Sequence, residues 1–261
     1  MRWCRFSYDE KVSYGIVEGD EVAQVAGSPF GRYRPTGSRL PLPMVKFLVP
    51  VVPPTFYAAG VNYMDHVRGM AARGGQAPQI PPKPDMGYRA NNALIADGEP
   101  IIIPKDASQE VEYEGELVVV IGKQCKHLSE DQVWDHILGY TIGNDVSERA
   151  WQREDRTLWR GKNTDTFKPM GPWIETKPDL DKMRTIVRVN GRVMAEFKTN
   201  NMIHGIAAYI QAMTKYLTLY PGDVLWMGTD LVPERIKHAD VVEVEITGIG
   251  VLRNPVMREG A

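Results

Sequence analysis

A chain of 261 residues, 43% hydrophobic and 25% charged, is long and apolar enough to bury a core without disulfide staples. Its net charge of -2 excludes the broad basic excess that nucleic-acid binding ordinarily requires, and no apolar run approaches the roughly 18 residues of a membrane span. Two cysteines, Cys4 and Cys125, without CxxC spacing, exclude a disulfide framework and read as small buried hydrophobes; the N-terminus MRWCRFSYDEK has no signal-like apolar region, so the expected address is the cytoplasm.

In chain order, residues 2–7, 13–17 and 21–25 read as short strands separated by turn chemistry at Asp9-Glu10 and Glu18-Gly19-Asp20. Pro35, Pro41, Pro43, Pro50, Pro53 and Pro54 follow. Proline cannot donate to a ladder, so this stretch reads as a connector. A boundary near residue 50 divides a small β-rich unit (1–50) from a main domain (51–261). Residues 74–84, rich in Gly and Pro, have the chemistry of a loop over a site. Three helices are expected. Residues 130–138 carry a Ser129 cap, a capping box through Gln132 and a stop at Gly139. Residues 146–153 form the second. Residues 202–217 form the third, with Ile203, Ile206, Ala207, Ile210, Met213 and Leu217 at helical spacing. Pro221-Gly222-Asp223 turns into a strand at 224–227. Late strands at 241–246 and 250–253 are broken by Gly248. The expected fold class is mainly β with a few helices, α+β.

The most informative segment is QEVEYEGELVVVIG, residues 109–122, in which Glu110, Glu112, Glu114 and Glu116 alternate before an apolar run. Residues two apart on a strand share a face, so the carboxylates line up. Carrying an acidic row into a buried strand is costly unless a cation neutralises it, and hard divalent cations prefer such oxygens. A solvated acidic edge that meets the core only at Leu117 fits the spacing equally well. Asp145, at the junction of an expected strand and helix, reads either as a helix cap or as a third ligand.

Five ordered segments, AGVNYMDH (59–66), YEGELVVVIG (113–122), GYTIGNDVSERAWQ (139–152), GKNTDTFKPMGP (161–172) and DVVEVEITGIGVLRN (240–254), resemble those of the fumarylacetoacetate hydrolase family. The resemblance spans residues 55–256, and the first strands resemble the family's small N-terminal domain. It implies a β-sandwich roll, usually dimeric, with Mg²⁺ or Mn²⁺ held by Glu114, Glu116 and Asp145. It also implies a catalytic or oxyanion-stabilising Lys162 and a water-activating His66. Arg149, Gln152, Asn62, Tyr63 and Thr229 would lie near a small anionic oxo-acid substrate. The residue types suit the chemistry. Cleaving a 1,3-dicarbonyl acid develops enolate charge, which a Lewis acid and a lysine would stabilise.

Two departures from the family pattern bear on the substrate and on water activation. The glutamate that usually follows the histidine by three residues is Gly69, leaving Asp65 or Asp85 as replacements. The family's TGTPxG loop is here MGTDLV (227–232). The leading expectation is hydrolysis of a C–C bond in an acylpyruvate or diketo acid. The alternatives are an isomerase, decarboxylase or tautomerase using the same enolate, and a catalytically silent ligand-binding protein. His127, His136, His204 and His238 carry no motif and read as structural.

Overall fold

The unalternating apolar run at 117–121 forms the strand Gly115–Ile121, buried on both faces. A computed structural model describes residues 1–230 and 232–261; Leu231, in the 227–232 loop, lies outside them. Leu117, Val119 and Ile121 enter one core with Val187, Val242, Val244 and Ile246 of a second sheet. Val118 and Val120 enter another with Phe56, Trp226, Met170 and Ile174. Period-two geometry thus lets one strand serve two cores.

Among the described residues a twelve-stranded sheet runs Tyr33–Pro41, Glu21–Gly27, Lys11–Glu18, Arg2–Tyr8, Lys168–Glu175, Ile137–Asn144, Gly115–Ile121, Val224–Trp226, Phe56–Ala59 and Met86–Tyr88, with two short strands off this path. The second sheet orders Arg192–Lys198, Arg184–Val189, Val241–Ile246, Gly250–Arg258 and Ile101–Ile103. The architecture is therefore the expected mainly β one. Close approach is built in at Gly143, where a Cβ would lie 2.6 Å from the Trp226 ring.

The first three strands form the expected antiparallel meander, and Arg2–Tyr8 also pairs with Lys168–Glu175. The proline-rich connector is corrected in part. Tyr33–Pro41 is a fourth strand, and Pro35 and Pro41 are accommodated because it lies at the sheet edge.

Three α-helices are described: α1 (Met64–Gly74), α2 (Arg149–Glu154) and α3 (Ile206–Thr214). The helix expected at 130–138 does not form. Ser129 does bond Gln132 at 2.9 Å, but only a short 3-10 turn follows at Val133–His136. Ile137–Asn144 is instead a strand held by neighbours on both sides, so sheet pairing overrides the local cap signal. The helix expected from residue 146 begins at Arg149, because Ser147–Glu148 pairs with Val111–Glu112 and Glu148 then caps α2. The helix expected from residue 202 begins at Ile206, because Met202 bridges to Tyr63 in extended form. No helix among the described residues is long and apolar enough to cross a membrane.

Candidate active site

Antiparallel register explains how distant carboxylates meet. Gly115 pairs with Asn144, so Glu114 and Asp145 extend the ladder by one residue, and the Asp145 N–H donates to the Glu114 carbonyl at 2.8 Å. Asn144 Oδ1 accepts the Glu114 N–H at 2.9 Å, which fixes the same junction. Glu116, two residues along, has its carboxylate anchored by the Gly228 N–H at 2.8 Å. The three side chains are buried, and each offers an oxygen within 4.8 Å of the others. The alternating row does not stay together. Glu112 turns to Arg149 and Arg73, and Glu110 to Arg153 nearer the surface.

Four cations surround this cluster. Lys162 Nζ contacts Glu114 Oε2 and lies 2.8 Å from Asp145 Oδ2. Arg89 Nη2 reaches Asp145 Oδ2 at 3.0 Å. Lys168 lies 2.7 Å from Asp145 Oδ1 and donates to the Val146 and Phe167 carbonyls. Arg149 Nη2 reaches Glu114 Oε1 at 2.6 Å. Burial alone would push every carboxylate here upward. For Glu114, Arg149 and Lys162 outweigh it and hold the carboxyl down at about 2. For Asp145, Arg89, Lys162 and Lys168 do the same and hold it well below the usual range. Glu116 differs: burial, then the charges of Asp145 and Glu114, push it up to about 8. No Lys or Arg forms an ion pair with Glu116 among the described residues. The cluster thus has one carboxylate without a counter-cation, and its all-oxygen donor set suits Mg²⁺ or Mn²⁺.

A cavity of about 160 Å³ opens beside the triad, lined in part by Asn62, His66, Arg149, Gln152, Lys162 and Thr229. Thr229 Oγ1 is buried and has no hydrogen-bond partner among the described residues, so it is a donor available to a ligand. His66 enters from the first turn of α1. That helix has no side-chain cap of its own, and the Asp230 carboxylate accepts the Asp65 N–H at 2.9 Å. Asn62 is committed to the scaffold, its amide bridging the Met227 and His204 backbones.

Two expected substrate contacts change role. Tyr63 is fully buried, donates to the Thr199 carbonyl at 2.6 Å and is absent from the cavity wall. Arg149 lines the cavity, but its three nitrogens are committed to Glu112, Glu114 and Gln152, so it holds protein carboxylates rather than a free anion. Neither Asp65 nor Asp85 reaches the wall. Asp65 is exposed and pairs with Arg68. A Cβ at position 69 would meet Val232 Cγ2 at 2.1 Å, so a glutamate there requires the exposed Val232 side chain to move.

Sequence reasoning missed Arg89 and Lys168. Arg89 has no spacing relation to the acids it serves. Lys168 sits within the 161–172 segment, but only burial shows that its charge is turned inward.

The family description Fumarylacetoacetate (FAA) hydrolase C-terminal matches residues 55–257, and Rv2993c-like, N-terminal, matches residues 1–50. Protein Rv2993c of Mycobacterium tuberculosis is 39% identical across 100% of this chain and 99% of its own length. Oxaloacetate tautomerase FAHD2A, mitochondrial, of Bos taurus is 36% identical across 84% of this chain and 71% of its own. The crystal structure of 5-carboxymethyl-2-hydroxymuconate delta-isomerase from Mycobacterium smegmatis superposes with a TM-score of 0.90 at 37% identity, covering 99% of this chain and 100% of that one. With the motifs, the fold and the carboxylate junction in agreement, the chain belongs to the fumarylacetoacetate hydrolase family.

Proposed function

We propose that this protein is a divalent-cation-dependent tautomerase or isomerase of a small 2-oxo dicarboxylic acid, with oxaloacetate as the test substrate. The reaction breaks the O–H bond of an enol at C2 and forms a C–H bond at C3 as the C2–C3 double bond becomes the C2 carbonyl; no water is consumed and nothing is oxidised. The observation that carries this reading is the site's make-up. Triad, Lys162 and His66 share one small cavity. A cation site, a lysine and an imidazole around one cavity supply enolate stabilisation and a proton carrier, which is what keto–enol exchange requires. The names of the Bos taurus tautomerase and the Mycobacterium smegmatis isomerase support the same choice over C–C hydrolysis.

Glu114, Glu116 and Asp145 would hold the cation, which when bound supplies Lewis-acid stabilisation for charge on a chelating 2-oxo acid. Lys162, fixed between Glu114 and Asp145, places a second positive charge where that anion develops. Thr229 offers its hydroxyl to a substrate oxygen. His66 provides the imidazole that takes and returns the proton. Arg149 keeps Glu114 in place and, through Gln152 Oε1 at 2.7 Å, leaves the Gln152 amide hydrogens as donors.

The test follows the ultraviolet absorbance of oxaloacetate enol with protein plus Mg²⁺, with chelator, and with Lys162→Met. The expected result is a Mg²⁺-dependent acceleration that falls about 10²-fold or more in the variant. No acceleration over Mg²⁺ alone overturns the proposal. So does hydrolysis of an acylpyruvate with kcat/KM equal to or above that for tautomerisation.

A further inference from the structure

The wall of the 160 Å³ cavity contains a backbone outlier. Leu158 has φ +59°, in the left-handed region where a Cβ crowds the following carbonyl and a bulky residue is rare. Other described non-glycine residues with positive φ, such as Asp9, His127 and Asn190, lie away from this wall. Strain of this kind persists only where the surroundings impose it, and it gathers at ligand sites.

Here the surroundings do impose it. Asp155 is buried, and its carboxylate accepts the Arg160 and Gly161 N–H groups at 2.9 and 3.0 Å and the Arg160 guanidinium at 2.8 Å. Its carbonyl accepts the Leu158 N–H at 3.2 Å. The Leu158 carbonyl in turn accepts the Lys162 N–H at 3.1 Å and the Asn163 side-chain amide at 2.9 Å. Gly161 packs on α2, where a Cβ would lie 2.8 Å from the Gln152 backbone nitrogen. Both ends of the turn are tied, and the left-handed residue closes it. The outcome is directional: Arg156, Thr157 and Trp159 are exposed, while Leu158 turns to the cavity beside Lys162.

Most of that wall is polar, so the oxygens of a 2-oxo acid find their partners there. Its apolar side chains are Ala59, Val61, Met70 and Leu158. A volume of about 160 Å³ is also well below the roughly 300–1,000 Å³ of ordinary ligand sites. An extra carbon branch on the substrate would need space that these apolar side chains fill. We propose that Leu158 is a specificity-determining residue, held in a strained turn so that its side chain excludes 2-oxo acids branched at C3. This rests on the 2-oxo acid reading of the cavity and adds what limits the substrate's bulk.

The experiment uses Mg²⁺-loaded wild type, Leu158→Ala and Leu158→Gly. Calorimetry compares 2-oxobutanoate with 3-methyl-2-oxobutanoate, which differ by one methyl group at C3. Enol absorbance compares kcat/KM for oxaloacetate and 3-methyloxaloacetate. Wild type is expected to favour the unbranched acid about tenfold or more in both measurements, the scale of one methyl group in a filled pocket. Both variants should bring the ratios close to one. They differ in strain, because alanine keeps a Cβ in the left-handed region and glycine does not. Leu158→Gly should therefore melt about 2–4 °C above Leu158→Ala. A binding ratio near one in wild type, or one that neither variant lowers, overturns the selectivity. Equal melting of the two variants overturns the strained setting. Selective binding lost in both variants, with no Mg²⁺-dependent acceleration of either enol by wild type, keeps the role of Leu158 and overturns the tautomerase reading instead.

Discussion

The core of the N-terminal meander and the carboxylate cluster are both buried and are filled with opposite chemistry. In the meander, Cys4, Phe6, Val17 and Val22 pack together, and the charges stay at the rim, as in the half-exposed pair Arg39–Glu18. In the cluster, Glu114, Glu116, Asp145, Lys162 and Lys168 are all inside. Burying apolar surface stabilises by about 25 cal/mol per Å². Burying an ion costs several kcal/mol, which partner charges offset only when every contact is made. The meander is therefore built for stability. The cluster is poised: its charges offset one another only as a set, and Glu116 makes no ion pair with a Lys or Arg among the described residues.

Breaking the cluster should have the largest effect. Asp145→Ala leaves Arg89, Lys162 and Lys168 facing one another without their shared carboxylate. Loss of about 3–5 kcal/mol is expected, large beside a total stability of about 5–15 kcal/mol. Urea unfolding of Asp145→Ala beside the milder Asp145→Asn measures it, and both should lack Mg²⁺-dependent activity. Equal stability of Asp145→Ala and wild type would show that the cations are not held by Asp145.

Breaking the meander should separate stability from function. Phe6→Ala removes a ring buried to 1% exposure and should lose about 3–5 kcal/mol while kcat/KM stays unchanged at a temperature where the variant is folded. A matching fall in kcat/KM would mean that the meander shapes the site.

A smaller effect is expected at Lys168. Asp145 keeps Arg89 and Lys162, so Lys168→Met should lose only about 1–3 kcal/mol. Removing a positive charge beside the triad should also tighten Mg²⁺ binding in calorimetry. Weaker binding would show that Lys168 orients Asp145 more than it opposes the cation.

The smallest effect is a pH response confined to the meander. Burial pushes the Cys4 thiol from its ordinary 9.0 up to about 12, partly opposed by backbone hydrogen bonding from Cys4 and Gly15. The folded value lies above the unfolded one. The contribution is thus complete below about pH 9 and is lost as pH climbs toward 12. Thermal midpoints of wild type and Cys4→Ala should run parallel up to pH 9, with the wild type falling faster above it. Parallel curves throughout would place the thiolate in contact with solvent.

What the sequence determined by itself is what period and order encode. The two-residue alternation announced the meander and the late strand pair. The alternating glutamates and an Asp145 at a strand's end supplied candidates, and the ordered segments, by family resemblance, singled out Glu114, Glu116 and Asp145. Local signals failed where tertiary pairing outweighed them, as at 130–138, where the Ser129–Gln132 contact forms on a single turn and the sheet takes the residues that follow. Only the tertiary structure showed why Glu114 and Glu116, of the four alternating glutamates, meet Asp145, because that depends on the Gly115–Asn144 register across 29 positions of chain. It alone brought in Arg89 and Lys168, committed Arg149 to protein carboxylates and set Tyr63 aside from the cavity. Charge neutralisation acts through space over a few ångströms, and sequence separation carries no record of it.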